Sequence, residues 1–111
     1  MSLVVSYSSI IYRGVSYEGG WKKGLRHGYG VLKYKDGTLY KGLWSLGKKE
    51  GLGYMVYPSG NSYEGEWKND KKNGKGVMIW KTRSERYEGE WAGDLPSGYG
   101  CHVWFFKQKQ P

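Results

Sequence analysis

The stretch from Tyr63 to Trp80 reads Y-E-G-E-W-K-N-D-K-K-N-G-K-G-V-M-I-W. Tyr63, Gly65 and Trp67 alternate with Glu64, Glu66 and Lys68, the period of two that gives a strand two unlike faces. A polar run, Asn69-Asp70-Lys71-Lys72-Asn73, then turns the chain. Gly74, Gly76, Met78 and Trp80 alternate with Lys75, Val77 and Ile79, which predicts a second strand. Two such strands across a polar turn make a β-hairpin.

The unit recurs. Tyr17-Glu18-Gly19-Gly20-Trp21 leads to Gly28-Tyr29-Gly30 and Tyr34; Tyr40-Lys41-Gly42-Leu43-Trp44 leads to Gly51-Leu52-Gly53 and Tyr57. Tyr87-Glu88-Gly89-Glu90-Trp91 leads to Gly98-Tyr99-Gly100 and Trp104. The opening tyrosines lie 23, 23 and 24 residues apart. A period of this length means an array, because one unit cannot bury its apolar face alone and must stack on its neighbours.

The succession Y-x-G-x-W, basic turn, G-x-G and aromatic resembles the MORN repeat (membrane occupation and recognition nexus), in four copies spanning residues 17–104. The resemblance implies an all-β fold of tandem antiparallel β-hairpins stacked into an elongated, twisted, single-layer sheet. It also implies scaffolding or membrane association in place of catalysis. The expected organisation is an N-terminal cap or partial hairpin at 1–16, repeats at 17–39, 40–62, 63–86 and 87–104, and a C-terminal tail at 105–111. The leucine-rich repeat, of similar length, is disfavoured because its spaced leucines are absent. Within the family, Lys71 to Trp80 with the extra residue after it most resembles radial-spoke-head proteins of cilia and flagella. That implies a cytoskeletal, axonemal setting.

Composition agrees with a thin sheet. The 111 residues give room for one domain, and the apolar content is mostly Trp and Tyr, with only two phenylalanines beside 19 glycines. Such rings suit half-wet strand faces, since each carries a polar tip. The lone Cys101 cannot close an internal disulfide, and no Cys/His cluster has zinc spacing, so neither metal nor cofactor is expected. Leu3-Val4-Val5 and Ile10-Ile11 are interrupted and lack a charged lead, so no signal peptide is read and an intracellular protein is expected. Because no further unit starts after Trp104, the last hairpin leaves an open edge. The chain is therefore expected to be a piece or short form of a longer array, able to self-associate through its ends.

The connections Lys35-Asp36-Gly37-Thr38 and Pro58-Ser59-Gly60-Asn61 carry tight-turn residues. The third, Thr82-Arg83-Ser84-Glu85, lacks glycine, and a bulge or looser turn is expected there. Placing Trp67 opposite Gly76, and Tyr63 opposite Trp80, would set each Trp ring over a bare glycine of its own hairpin. The row Tyr17, Trp21, Tyr40, Trp44, Tyr63, Trp67, Tyr87 and Trp91 then serves either as packing or as a groove for a partner. The fourth unit departs, with His102 where Met55 and Met78 sit and Ala92-Gly93-Asp94-Leu95-Pro96-Ser97 in place of the basic turn.

No enzyme activity is expected. Glu64/Glu66 and Glu88/Glu90 are paired carboxylates, but they recur with the repeat, as solvated charges do. His27 and His102 have no partners for a nucleophile or a metal. Gly28-x-Gly30 and its copies lie inside hairpins, away from any strand-to-helix junction where a nucleotide phosphate would bind. Charge is more informative. The net charge is +8, and stacked hairpins would align Lys22, Lys23, Arg26, Lys48, Lys49, Lys68, Lys71 and Lys72 on one long edge. Such an edge attracts anionic lipid, at about 1 kcal/mol per basic residue near the headgroups, or simply keeps a sheet soluble. Nucleic acid is disfavoured because no reading motif appears. A non-catalytic scaffold for a protein partner is the first reading; a phosphoinositide-binding module acting through the lysine edge is the alternative.

Overall fold

In a computed structural model, which describes residues 6–105, the hairpins close on pairs of residues and not on polar runs. The expectations for residues 1–5 and 106–111 lie outside the described residues. Lys23-Gly24, Leu46-Gly47, Asn69-Asp70 and Gly93-Asp94 all take positive φ at both positions. A type I′ turn demands this, and its twist matches that of the flanking strands. The run after Lys68 therefore turns only at Asn69-Asp70, while Lys71, Lys72 and Asn73 enter the next strand.

Among the described residues nine strands result: β1 (Ser6–Tyr12), β2 (Val15–Lys22), β3 (Leu25–Lys33), β4 (Leu39–Ser45), β5 (Lys48–Val56), β6 (Ser62–Lys68), β7 (Lys71–Trp80), β8 (Glu85–Ala92) and β9 (Leu95–Trp104). Each pairs with its sequence neighbours in one antiparallel sheet. Arg13-Gly14 makes a further turn with both φ positive, joining β1 to β2. Among the described residues there is no α-helix. A single 3-10 turn, Lys81–Arg83, with Ser84 left-handed after it, replaces the glycine turn between the third and fourth units. The sheet is thin and long, with extents of 62 × 32 × 17 Å. Its radius of gyration of 16.3 Å exceeds the roughly 13 Å of a compact chain this size.

A line of glycines crosses the sheet at one level: Gly19, Gly30, Gly42, Gly53, Gly65, Gly76, Gly89 and Gly100 stand opposite one another in turn. Beside that line each of the four hairpins β2–β3, β4–β5, β6–β7 and β8–β9 shifts register. In β6 and β7, Gly65 faces Gly76 but Trp67 faces Lys72, so three residues of β7 oppose one of β6. Gly74 absorbs the excess with φ +96, a region that glycine enters without steric cost.

This shift corrects the pairing expected for the tryptophans. Trp67 does not cover Gly76; the Tyr63 ring does, and a Cβ added to Gly76 would lie 2.1 Å from its hydroxyl. Trp67 stands opposite Gly51 of the preceding hairpin, and its indole Nε1 donates to the Gly53 carbonyl at 3.3 Å. The two glycines of each G-x-G thus do different work: the first bends the strand, the second makes room for a ring.

Candidate interaction surfaces

Strand alternation sorts the side chains onto two faces, and the first is filled. Tyr17, Tyr40, Tyr63 and Tyr87 are buried, as are Trp44, Trp67 and Trp91, with Trp21 packed against them. Each Tyr meets its own Trp edge to face, and three also meet the next: Tyr17–Trp44 at 5.8 Å, Tyr40–Trp67 at 5.5 Å and Tyr63–Trp91 at 5.4 Å. Such pairs contribute about 0.5–1.5 kcal/mol beyond area burial. The polar tips are satisfied as well. The Tyr40 and Tyr63 hydroxyls donate to the carbonyls of Leu43 and Glu66, and Trp44 and Trp91 donate to those of Gly30 and Gly76. Burial pushes the Tyr40 and Tyr63 hydroxyls far above their ordinary titration range and raises Tyr17 less. From Tyr40 to Trp91 the aromatic row is packed into the sheet.

The eight candidate cations divide. Lys49 and Lys72 lie across from Trp44 and Trp67, on the filled face. The Lys49 ammonium sits 5.4–5.7 Å from the ring centres of Tyr34, Tyr40, Trp44 and Trp67. Lys72 is placed likewise among Tyr57, Tyr63, Trp67 and Trp91. An aspartate from the next turn completes each cage, at 3.9 Å for both Lys49–Asp70 and Lys72–Asp94. These lysines, with side chains 12% and 14% exposed, are internal cations. Arg26 occupies the equivalent place in the first unit. Lys22, Lys23, Lys48, Lys68 and Lys71 remain on the turn edge, and none forms an ion pair among the described residues.

The second face is open. Over the glycine line runs a trough, walled on one side by Tyr29, Leu43, Leu52, Glu66, Lys75, Glu90 and Tyr99, and on the other by Val31, Lys41, Tyr54, Glu64, Val77, Glu88 and Cys101. It widens to about 350 Å³ around Leu43, Leu52 and Tyr54, and to about 760 Å³ between Lys75, Glu88 and Tyr99. Leu52 is 64% exposed and Tyr29 52%. Sequence reasoning passed over these four apolar residues, although they share strand parity with the glutamates. Glu66 and Glu90 are tied to the backbone, accepting from the Lys75 and Tyr99 amides at 2.7 and 3.2 Å.

Little here is built for chemistry. Cys101 is exposed on the trough. His102 lies between the Trp80 and Trp104 rings with Nε2 3.2 Å from Glu85, and His27 accepts the Leu46 amide. Among the described residues no group of three or more His, Cys, Asp or Glu could hold a metal ion, and no helix is long and apolar enough to cross a membrane.

Among curated proteins none matches the chain. The family model for the MORN repeat matches residues 17–39, 40–62, 63–85 and 87–105, one match for each hairpin pair β2–β3, β4–β5, β6–β7 and β8–β9. The chain belongs to the MORN-repeat family, a non-catalytic family whose repeats mediate protein or membrane-lipid interactions.

Proposed function

We propose that this chain is a non-catalytic scaffold holding a protein partner in the trough of the open face. One observation carries the reading: Tyr29, Leu43, Leu52 and Tyr54 stand exposed together beside the bare glycine line, while the aromatic row is consumed by packing. Contiguous exposed apolar surface rimmed by charge is characteristic of interaction sites. The setting proposed is intracellular, and the radial-spoke-head resemblance of the third unit favours an axonemal one.

The test is a photo-crosslinking phenylalanine placed at Leu52 in the full chain. It should capture a discrete partner, and Leu43→Glu with Leu52→Glu should abolish association with that partner while the near-ultraviolet circular dichroism stays native. Association that survives the double change would sink the trough as the site.

A second reading is favoured by the separation of the cations. Lys22, Lys23, Lys48, Lys68 and Lys71 form a row free of ring cages, suited to an anionic phospholipid surface. Reversal of Lys23, Lys48, Lys68 and Lys71 to Glu should then remove cosedimentation with phosphoinositide vesicles, and salt should weaken it steeply. Equal binding to neutral vesicles would dismiss this reading.

A further inference from the structure

Three cations hold one position in successive units, and only two are complete. Lys49 and Lys72 each meet four rings and an aspartate. The backbone N–H groups of Asp70 and Asp94 also donate to the carbonyls of those lysines. In the first unit the corresponding turn residue is Gly47. Its N–H makes the equivalent bond to the Arg26 carbonyl at 2.8 Å, but it brings no carboxylate.

The Arg26 guanidinium meets two rings, Tyr17 at 5.6 Å and Trp44 at 5.1 Å. Tyr12, in the place that Tyr34 and Tyr57 take as cage walls, instead carries Arg13 at 5.3 Å and faces solvent. Arg26 Nε is buried without a hydrogen-bond partner among the described residues. A buried donor left unpaired costs about 1–3 kcal/mol, more when charged, so the site is unfinished in a specific chemical sense.

The unfinished cage opens into a cleft of about 510 Å³. Ile10, Tyr12, Val15, Trp21 and Leu32 give it apolar walls, and Arg13 and Arg26 are the charged groups among its lining residues. This volume falls in the range of small-molecule sites, which combine apolar walls with a few placed polar groups. A guanidinium fork pairs best with a planar carboxylate, the group that serves Lys49 and Lys72 from within the chain. We propose that the first unit binds a small amphipathic carboxylate such as an alkanoate. Its carboxylate meets Arg26 and its hydrocarbon body lies against Trp21 and Ile10.

The site is independent of the trough, which lies on the other face. The test follows the Trp21 indole N–H and the Arg26 Nε–H by NMR in the full chain, with decanoate below its micelle concentration and methyl decanoate as the uncharged probe. Decanoate should shift both signals saturably, and the ester should bind at least about tenfold more weakly. Arg26→Met should lose binding to the same extent.

Because that variant could disturb the packing around Trp44, a second pair decides. Gly47→Asp supplies a resident carboxylate at a φ of +90, where the nearest atom to a new Cβ is Leu25 Cδ2 at 3.5 Å. Aspartate already tolerates positive φ at Asp70 and Asp94. Gly47→Asp should abolish decanoate binding and Gly47→Asn should leave it unchanged. Equal binding in both Gly47 variants, equal binding of the ester, or no saturable shift in the native chain would each overturn the proposal.

Discussion

The two faces of this sheet share one backbone and have opposite fates. On one, Tyr, Trp and caged Lys interlock until the tyrosines at 40 and 63 expose nothing to solvent. On the other, Leu52 and Tyr29 stand in water beside the same glycines. The alternation of the strands separates them at the glycine line. The missing side chains at that level let a ring lie flat on the first face, and on the second face the furrow is the gap between the side-chain rows that flank the glycines. Stability is thereby concentrated on one side, and the other side is left free to vary.

The largest test of this division acts on several rings at once. Tyr17, Tyr40 and Tyr63 titrate above the 10.0 of an unfolded tyrosine because burial penalises the phenolate. The unfolded chain therefore releases these protons first as pH rises. Their stabilisation is complete below pH 10 and is lost progressively above it. Near-ultraviolet circular dichroism should collapse in a cooperative alkaline transition accompanied by the last phenolate absorption. All the tyrosines titrating while the sheet stays intact would contradict a sealed face.

Next comes Trp67→Ala, which should cost about 3–5 kcal/mol in denaturant unfolding, whereas Leu52→Ala across the sheet should change stability by no more than about 0.5 kcal/mol. Similar costs for both would erase the distinction between the faces. Gly76→Ala should cost about 1–3 kcal/mol, because the new methyl meets the Tyr63 ring. A neutral result would mean that the ring can move aside. A smaller loss is expected of Asp70→Asn, below about 1 kcal/mol and reduced by salt, since the carboxylate is about half exposed. Salt-independent loss would point to the hydrogen bond from the Lys49 amide in place of charge.

Much of the fold was legible. Alternation gave the strands, and the 23-residue recurrence gave the stacking. Asn69-Asp70 has the turn chemistry that fixes the hairpin, but the lysines behind it read as loop because polarity and turn propensity coincide there. That misreading concealed the two-residue shift, and with it the partner of Trp67. The cages were legible in principle: Lys49 and Lys72 share parity with the glycines that follow, which places them on the aromatic face. Net charge alone says nothing about which cations reach solvent. Nothing in the sequence marks Arg26 as different from those lysines until Gly47 is seen to stand where Asp70 stands for Lys49.

The hydrogen bonds from Trp44, Trp67 and Trp91 to a glycine of the unit before each give the array a direction in time. A ribosome delivers the amino-terminal hairpin first, yet the ring that covers Tyr40 is Trp67, 27 residues downstream. Each hairpin therefore waits for its successor before its aromatic face is sealed. Emergence of the nascent chain should close the units one after another, like teeth of a zip, with the latest always left ajar.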